Sequence, residues 1–308
     1  MNVVACYHRG IRTRFFRIRR GRRPKSAAVA ALLIGVLASA CARRADGPVR
    51  TAQSAPPIVV QGAMDVEVRR LAGALANVSV ESLHGWTFWS GTVDGYPVVI
   101  SKTLKGMANA AAATALAAER YHPAAIINQG TAGGHQPDLH VYDIVLGTEA
   151  VNLGSFKTPY RARGGGSNFA EWLPLDLMRS EGSAGQDPNA RSMRRFRGDQ
   201  GLLAAARQVR DSYRRGRVVE GVLGSSEVWN SEIDRIERFH EQFGTTAEEM
   251  ETASAAQIAG LFEIPFLGIR VVSNNITNGG GYDASTGEAC QEYVVEVVKR
   301  YISEKLAP

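Results

Sequence analysis

A chain of 308 residues that is 44% hydrophobic is long enough for one large or two ordinary domains with an ample core. Its net charge of +6 points to nucleic acid only until it is located. Nine of the 36 basic residues and none of the 30 acidic ones fall in residues 1–40, so the remainder carries 27 against 30, a net of −3, and nucleic-acid binding loses its main support.

Residues 1–40 read as an export signal. A dense basic stretch from Arg9 to Lys25 precedes an apolar run, Ser26 to Ala40, that is too short to span a bilayer comfortably. Ala38, Ser39 and Ala40 supply the small residues a signal peptidase needs, and LASAC resembles a bacterial lipobox with Cys41 as the lipidated mature N-terminus. Ala38 stands where that pattern usually has Leu. The expectation is an exported bacterial protein, either a membrane-tethered lipoprotein or periplasmic, touching the membrane only through its anchor. Of the three cysteines, only Cys290 would then remain as a thiol, which leaves no intrachain disulfide, and the cysteines show no metal-ligand spacing.

Residues 41–56 form a small, polar, Pro-containing tether. The folded domain is expected over 57–308, opening with a β-branched strand at Ile58–Gln61 and a helix marked by Met64, Val66, Leu71 and Leu75. Asp65 and Glu67 sit in its first turn, where the helix dipole favours acids. TFWSGTV and YPVVISK, joined by Asp94-Gly95, predict a hairpin. An Ala-rich helix follows over Met107–Arg120, then a buried strand, Ala124–Asn128, ending in a Gly-rich turn from Gln129 to Gly134 that can bring backbone N–H groups to a ligand.

Asp143–Val151 reads as another strand. Residues 152–197 are largely polar and Gly-rich, a length expected of a lid, an interface arm or an insertion. A helix over Leu202–Tyr213, a strand over Arg217–Gly224, the turn GSSEVWNSE carrying Trp229, and an amphipathic helix over Ile233–Phe243 come next. In AEEMETASAAQIAGLFEIPFLGIRVVSNN (247–275), Glu249, Met250 and Glu251 are expected at an acidic helix start, followed by a buried strand ending in Arg270, Ser273 and Asn274. A helix over Ser285–Lys305 closes the chain. Alternating strands and helices predict one α/β domain with a central mixed sheet flanked by helices.

Three stretches, VVQGAMDVEV (59–68), IINQGTAGG (126–134) and EEMETASAAQIAGLFEIPFLGIRVVSNN (248–275), resemble the 5′-methylthioadenosine/S-adenosylhomocysteine nucleosidases of the nucleoside phosphorylase superfamily. The resemblance implies a nucleoside phosphorylase-like fold and hydrolysis of a purine nucleoside by water, with no metal or organic cofactor. Glu67 would activate the water, with Thr131 and Arg270 lining the water site. Glu251 would hold the ribose hydroxyls over Met250, with Glu249 beside them, and Thr131, Ala132, Gly133 and Ser273 would complete the substrate site. Trp229 would stack on the base. Family members are commonly homodimers, so a second copy is an expected partner. The 152–197 insertion is not part of the family pattern.

Two alternatives stay open. Phosphorylases of the superfamily carry an Arg before the Gly-rich segment to hold phosphate; Asn128 and Gln129 stand there instead, which favours water over phosphorolysis. At the other end the family has an Asp that protonates the purine N7, and this chain has Asn274. An amide is no general acid, although its NH₂ can donate a hydrogen bond. That leaves a substrate whose base leaves without full protonation, a 6-oxopurine, a nucleoside-binding protein with little turnover, or Asp283 as the acid if its loop folds back.

Overall fold

The computed structural model describes residues 55–179 and 190–306. The export signal, most of the tether and Cys41 lie outside the described residues. Ten strands form the main sheet: β1 (Ile58–Gly62), β2 (Ala76–Leu83), β3 (Trp86–Val93), β4 (Tyr96–Lys102), β5 (Ala125–Gly134), β6 (Ile144–Asn152), β7 (Arg195–Arg197), β8 (Val218–Ser225), β9 (Thr245–Glu249) and β10 (Phe266–Asn274). Six helices accompany them: α1 (Asp65–Gly73), α2 (Met107–Tyr121), α3 (Gln200–Gln208), α4 (Ile233–Phe243), α5 (Thr252–Leu261) and α6 (Thr286–Tyr301).

The strand order is β7-β6-β8-β9-β5-β1-β4-β3-β2, and β10 pairs with both β5 and β6. The run β6-β8-β9-β5 is thereby closed into a ring by β10. β1, β4, β5 and β10 run parallel, while β9 meets β5 antiparallel at Ala247–Gly134 and Glu248–Gly133. That antiparallel pairing brings the end of β9 to the ends of β5 and β10, where the site lies.

Helices cover both faces, as the alternation predicts. One core packs Val60, Ile100 and Ile127 from the sheet with Leu71 of α1 and Val294 of α6. The other packs Val59, Val99 and Ile126 against Ala110 and Ala117 of α2 and Ala255 and Ala259 of α5. Alanines at the buried positions let α2 and α5 lie close together, because side chains that end at Cβ allow a helix pair to approach a sheet tightly.

The structure departs from the sequence reading in several places. Gln129–Gly134 is not a turn: β5 runs straight through it, pairing with β10 from Gln129 to Gly133. Thr245–Glu249 is a strand and α5 begins only at Thr252, so Glu249 ends β9 rather than starting a helix. β2 was not expected: Ala76, Val78 and Val80 alternate with polar residues, but the alternation is short and most of the strand's residues are exposed. Helix α3 stops at Gln208, and Arg210–Ser212 form a 3₁₀ turn instead of a continuation.

The insertion carries structure of its own. Arg194 is buried and donates to the carbonyls of Asn152 (2.7 Å), Ser155 (2.7 Å) and Leu175 (2.8 Å), while pairing with Asp176. Its guanidinium also lies 5.8 Å from the ring of Phe156 and 5.4 Å from that of Phe243. Phe156, Phe169 and Trp172 form an aromatic cluster that extends onto Phe239 and Phe243 of α4. One buried cation with four partners thus staples the base of the arm to the domain. Cys290 is fully buried, and burial pushes its thiol up to about 12, so it behaves as a small apolar side chain.

Candidate active site

Glu67 sits in the first turn of α1, 3% exposed. One carboxylate oxygen accepts from the backbone N–H groups of Ala63 (2.9 Å) and Met64 (3.1 Å). The other accepts from the N–H of Thr131 (2.9 Å) and its hydroxyl (3.0 Å). Glu67 therefore caps its own helix and also reaches across to β5. Residue 130 has to be glycine for this, because a Cβ there would lie 2.7 Å from Glu67 Oε1.

Across the strand ends, Arg270 is 1% exposed and is held by four of its five N–H groups. Nη1 donates to the carbonyls of Asn128 (2.9 Å) and Ile269 (3.1 Å); Nη2 donates to Asn128 Oδ1 (2.6 Å) and to Glu249 (2.5 Å). Nε is buried with no protein acceptor. Glu249 takes Arg270, the Ser225 hydroxyl and the N–H groups of Glu251 (2.9 Å) and Thr252. Glu249 thereby caps α5 and orients Arg270, as a positioning residue.

Glu251 is the carboxylate left with capacity. It accepts from the N–H of Gly106 (2.9 Å), at the start of α2, and lies 3.8 Å from Arg270. Burial raises its carboxyl to about 8, the charge of Glu249 pushes the same way, and Arg270 opposes both. Met250, half-buried, lies between Glu249 and Glu251 in the turn into α5.

The third component is the end of β10. The Ser273 hydroxyl lies 3.2 Å from the Ala132 carbonyl and 3.1 Å from Asn274 Oδ1, which leaves Asn274 Nδ2 as a free donor. A Cβ on Gly133 would sit 3.4 Å from that Nδ2. The arrangement joins a fixed carboxylate beside a hydroxyl at Glu67 and Thr131, a carboxylate able to accept hydroxyls at Glu251, and an amide donor at Asn274. These are the groups that cleavage of a bond between a sugar and a base needs.

Comparison with known proteins agrees. The pattern described as the phosphorylase superfamily matches residues 57–304. The chain is 31% identical over 222 residues to the 5′-methylthioadenosine/S-adenosylhomocysteine nucleosidase of Bacillus thuringiensis (strain Al Hakam), covering 70% of this chain and 85% of that one. The chain belongs to this nucleosidase family. Among solved structures, the Neisseria meningitidis nucleosidase in complex with methylthio-immucillin-A superposes with a TM-score of 0.63 at 26% identity, over 79% of this chain and 99% of that one. The Colwellia psychrerythraea 34H enzyme in complex with adenine gives 0.62 at 25%, over 79% and 95%.

Within the family frame, the sequence-predicted residues separate. Glu67, Thr131, Arg270, Glu249 and Glu251 are brought together around the strand ends, and Ala132, Gly133, Ser273 and Asn274 adjoin them. Trp229 stands at the rim, 66% exposed and edge-on to Tyr282 at 5.6 Å, and stacks face-to-face on no ring among the described residues. The loop after β10 does fold back, with the Asp283 N–H on the Ser273 carbonyl (2.8 Å). Its carboxylate, however, is taken by the Ser285 hydroxyl (2.6 Å), the Ser285 N–H (2.9 Å) and Tyr142 (3.1 Å). The Ser285 groups hold Asp283 below the usual carboxylate range. Asp283 is therefore ionised and engaged at the start of α6, which removes it as a substitute acid.

Asn128 and Gly106 were missed as site residues. The signal for Asn128 was a polar side chain inside a buried strand, a placement that demands partners. Gln61 supplies one, accepting from Asn128 Nδ2 (3.2 Å) and so turning Oδ1 toward Arg270. Gly106 could have been flagged as the residue before an Ala-rich helix. Among the described residues there is no group of three or more His, Cys, Asp or Glu arranged to hold a metal.

Proposed function

We propose that this chain hydrolyses a purine nucleoside of the methylthioadenosine or S-adenosylhomocysteine type to the free base and a ribose derivative. The observation that carries the reading is the Glu67 carboxylate fixed by four donors opposite Glu251. A water held by Glu67 and Thr131 attacks the anomeric carbon, its proton passing to Glu67 as the bond to the base breaks and the electron pair leaves with the base. Glu251 accepts the ribose hydroxyls, and the carboxylates favour the positive charge that builds on the sugar. Asn274 donates a hydrogen bond to the departing ring without transferring a proton, so the base takes its proton from solvent.

The amide at 274 favours a second reading of the base. Asn offers both a donor and an acceptor, which suits a 6-oxopurine as well as adenine. Phosphorolysis has less support, because Arg270 is spent on Asn128 and Glu249 and the residues before the Gly-rich segment are uncharged. The lipidated Cys41 and the second copy belong to the same proposal, and the behaviour of Cys41→Ser in membrane fractionation and the sedimentation of the domain test them.

The deciding experiment follows base release from methylthioadenosine, S-adenosylhomocysteine, adenosine and inosine, with and without phosphate. Release independent of phosphate is expected, and the adenosine to inosine ratio decides the base. Micromolar binding with no release would replace the enzyme by a binding protein. Release that requires phosphate would make it a phosphorylase.

A further inference from the structure

Behind the base side of the site lies a buried polar cluster that the proposed reaction does not use. Glu248 on β9 pairs with Gly133 of β5, the residue under Asn274. Its carboxylate points away from Arg270 and takes donors from two other segments. The Ser226 hydroxyl donates to Oε1 (2.5 Å) and the Asn230 amide to Oε2 (2.8 Å). His135, just past the end of β5, places Nε2 3.2 Å from Oε2, with Nδ1 2.8 Å from the Thr245 hydroxyl. The His135 and Glu248 side chains are 2% and 5% exposed.

We infer that Glu248, with His135, is a positioning residue that sets the base-side wall by clamping the Ser226–Asn230 loop to the end of β5. The physical case is one of satisfaction. A buried carboxylate is costly unless its lone pairs are filled, and removing one partner leaves the full penalty. Two of the donors that fill this one, Ser226 and Asn230, flank Val228 and Trp229 in the loop, and the third fixes the strand end beneath Asn274. The loop can leave the site only by stripping Glu248. Burial pushes the Glu248 carboxyl up, but His135, Ser226 and Asn230 outweigh it and hold the group below the usual range, so it is a charge the loop must serve. Trp229 itself has little to hold it, being exposed. Its position is inherited from Asn230, the next residue.

The inference rests on the proposed reading, in which the base sits between Trp229 and Asn274, so the test separates the two halves of the nucleoside. Calorimetric titration of the full chain with adenine and with methylthioribose reports the base side and the sugar side without requiring turnover. Glu248→Gln keeps the volume but sets its NH₂ against the donors of Ser226, Asn230 or His135. The adenine dissociation constant is expected to rise roughly ten- to a hundredfold, the effect of losing a hydrogen bond to a charged group, with methylthioribose changed less than about twofold. Asn230→Ala should shift adenine alone in the same direction, and the double variant should lose no more than Glu248→Gln.

Equal weakening of both ligands would reduce the cluster to a structural role and overturn the inference, as would additive losses or unchanged adenine binding. If Glu248→Gln does not fold, Asn230→Ala and Ser226→Ala carry the same comparison. A wild-type chain that binds neither ligand fails the nucleoside reading itself. A wild type that binds adenine with an affinity indifferent to these variants fails only the clamp.

Discussion

The two ends of the site are built differently. At the sugar end, Glu67 has four donors, Arg270 uses four of its five N–H groups, and Glu249 has its oxygens filled, all at less than 10% exposure. At the base end, Asn274 has one side-chain partner, and Trp229 and Tyr282 are 66% and 49% exposed and meet edge-on. An aromatic pair of that kind contributes about 0.5–1.5 kcal/mol beyond its burial, too little to fix the two rings, even though Glu248 holds the Trp229 loop from behind. The chemistry therefore sits on a preorganised frame that changes little between ligands, while recognition of the base is left to groups with room to adjust. Asn274 falls at the adjustable end.

The sharpest way to break this contrast is Glu67→Gln at the rigid end. The amide keeps the shape but cannot take the proton from water, and its NH₂ faces donors at Ala63, Met64 and Thr131. Turnover should fall by roughly 10²- to 10⁴-fold, the range for a general base, with substrate affinity nearly unchanged. Single-turnover base release together with a binding titration checks both halves. A variant that keeps its turnover would remove Glu67 as the base.

A smaller effect of opposite sign is expected at the adjustable end. Asn274→Asp places a titratable group over Gly133, beside the Ser273 hydroxyl. With a group able to protonate the leaving base, the rate on methylthioadenosine should rise by about 10²-fold, at the low end of general acid catalysis. Inosine should gain less, because an amide already suits its 6-oxo edge. Comparison of the two substrates in the variant and the wild type measures this, and equal gains would show that residue 274 does not read the base.

The same division marks how far the sequence could be read. Glu67, Glu251, Arg270 and Asn274 were legible because each follows a local rule: an acid in a first helical turn, an acid before a small-residue helix, and polar residues ending an apolar strand. The partners that hold them were not, since Asn128, Gly106 and Ser225 meet their carboxylates or guanidinium only after strands β5, β8, β9 and β10 and the starts of α2 and α5 converge. The run Gln129–Gly134 reads locally as a turn and becomes strand because β10 pairs along it. β2 escaped notice because its alternation, Ala76, Val78 and Val80, is short and meets no core, with Val78 and Val80 left at 45% and 61% exposure. In the insertion, composition suggested a loop, and a single arginine with backbone partners gave it an anchored base.

The smallest expected effect tests whether the sugar end is as fixed in charge as it is in position. Glu251 has its carboxyl raised to about 8 by burial and by Glu249, against an ordinary value near 4.5. Between those two values the folded protein holds a proton that the unfolded chain has released, so this group's contribution to stability falls as pH rises through the window. Binding of ribose hydroxyls runs the other way, since they donate best to the ionised carboxylate and so draw the proton off. The affinity for methylthioribose should therefore tighten by about tenfold between pH 7 and 9, with uptake of ligand releasing a proton, while adenine, which does not touch Glu251, should bind with little change. Titrations in two buffers of different ionisation enthalpy detect the released proton directly. If both ligands followed the same pH slope, the change would belong to the whole site, and Glu251 would not be the group that meets the sugar.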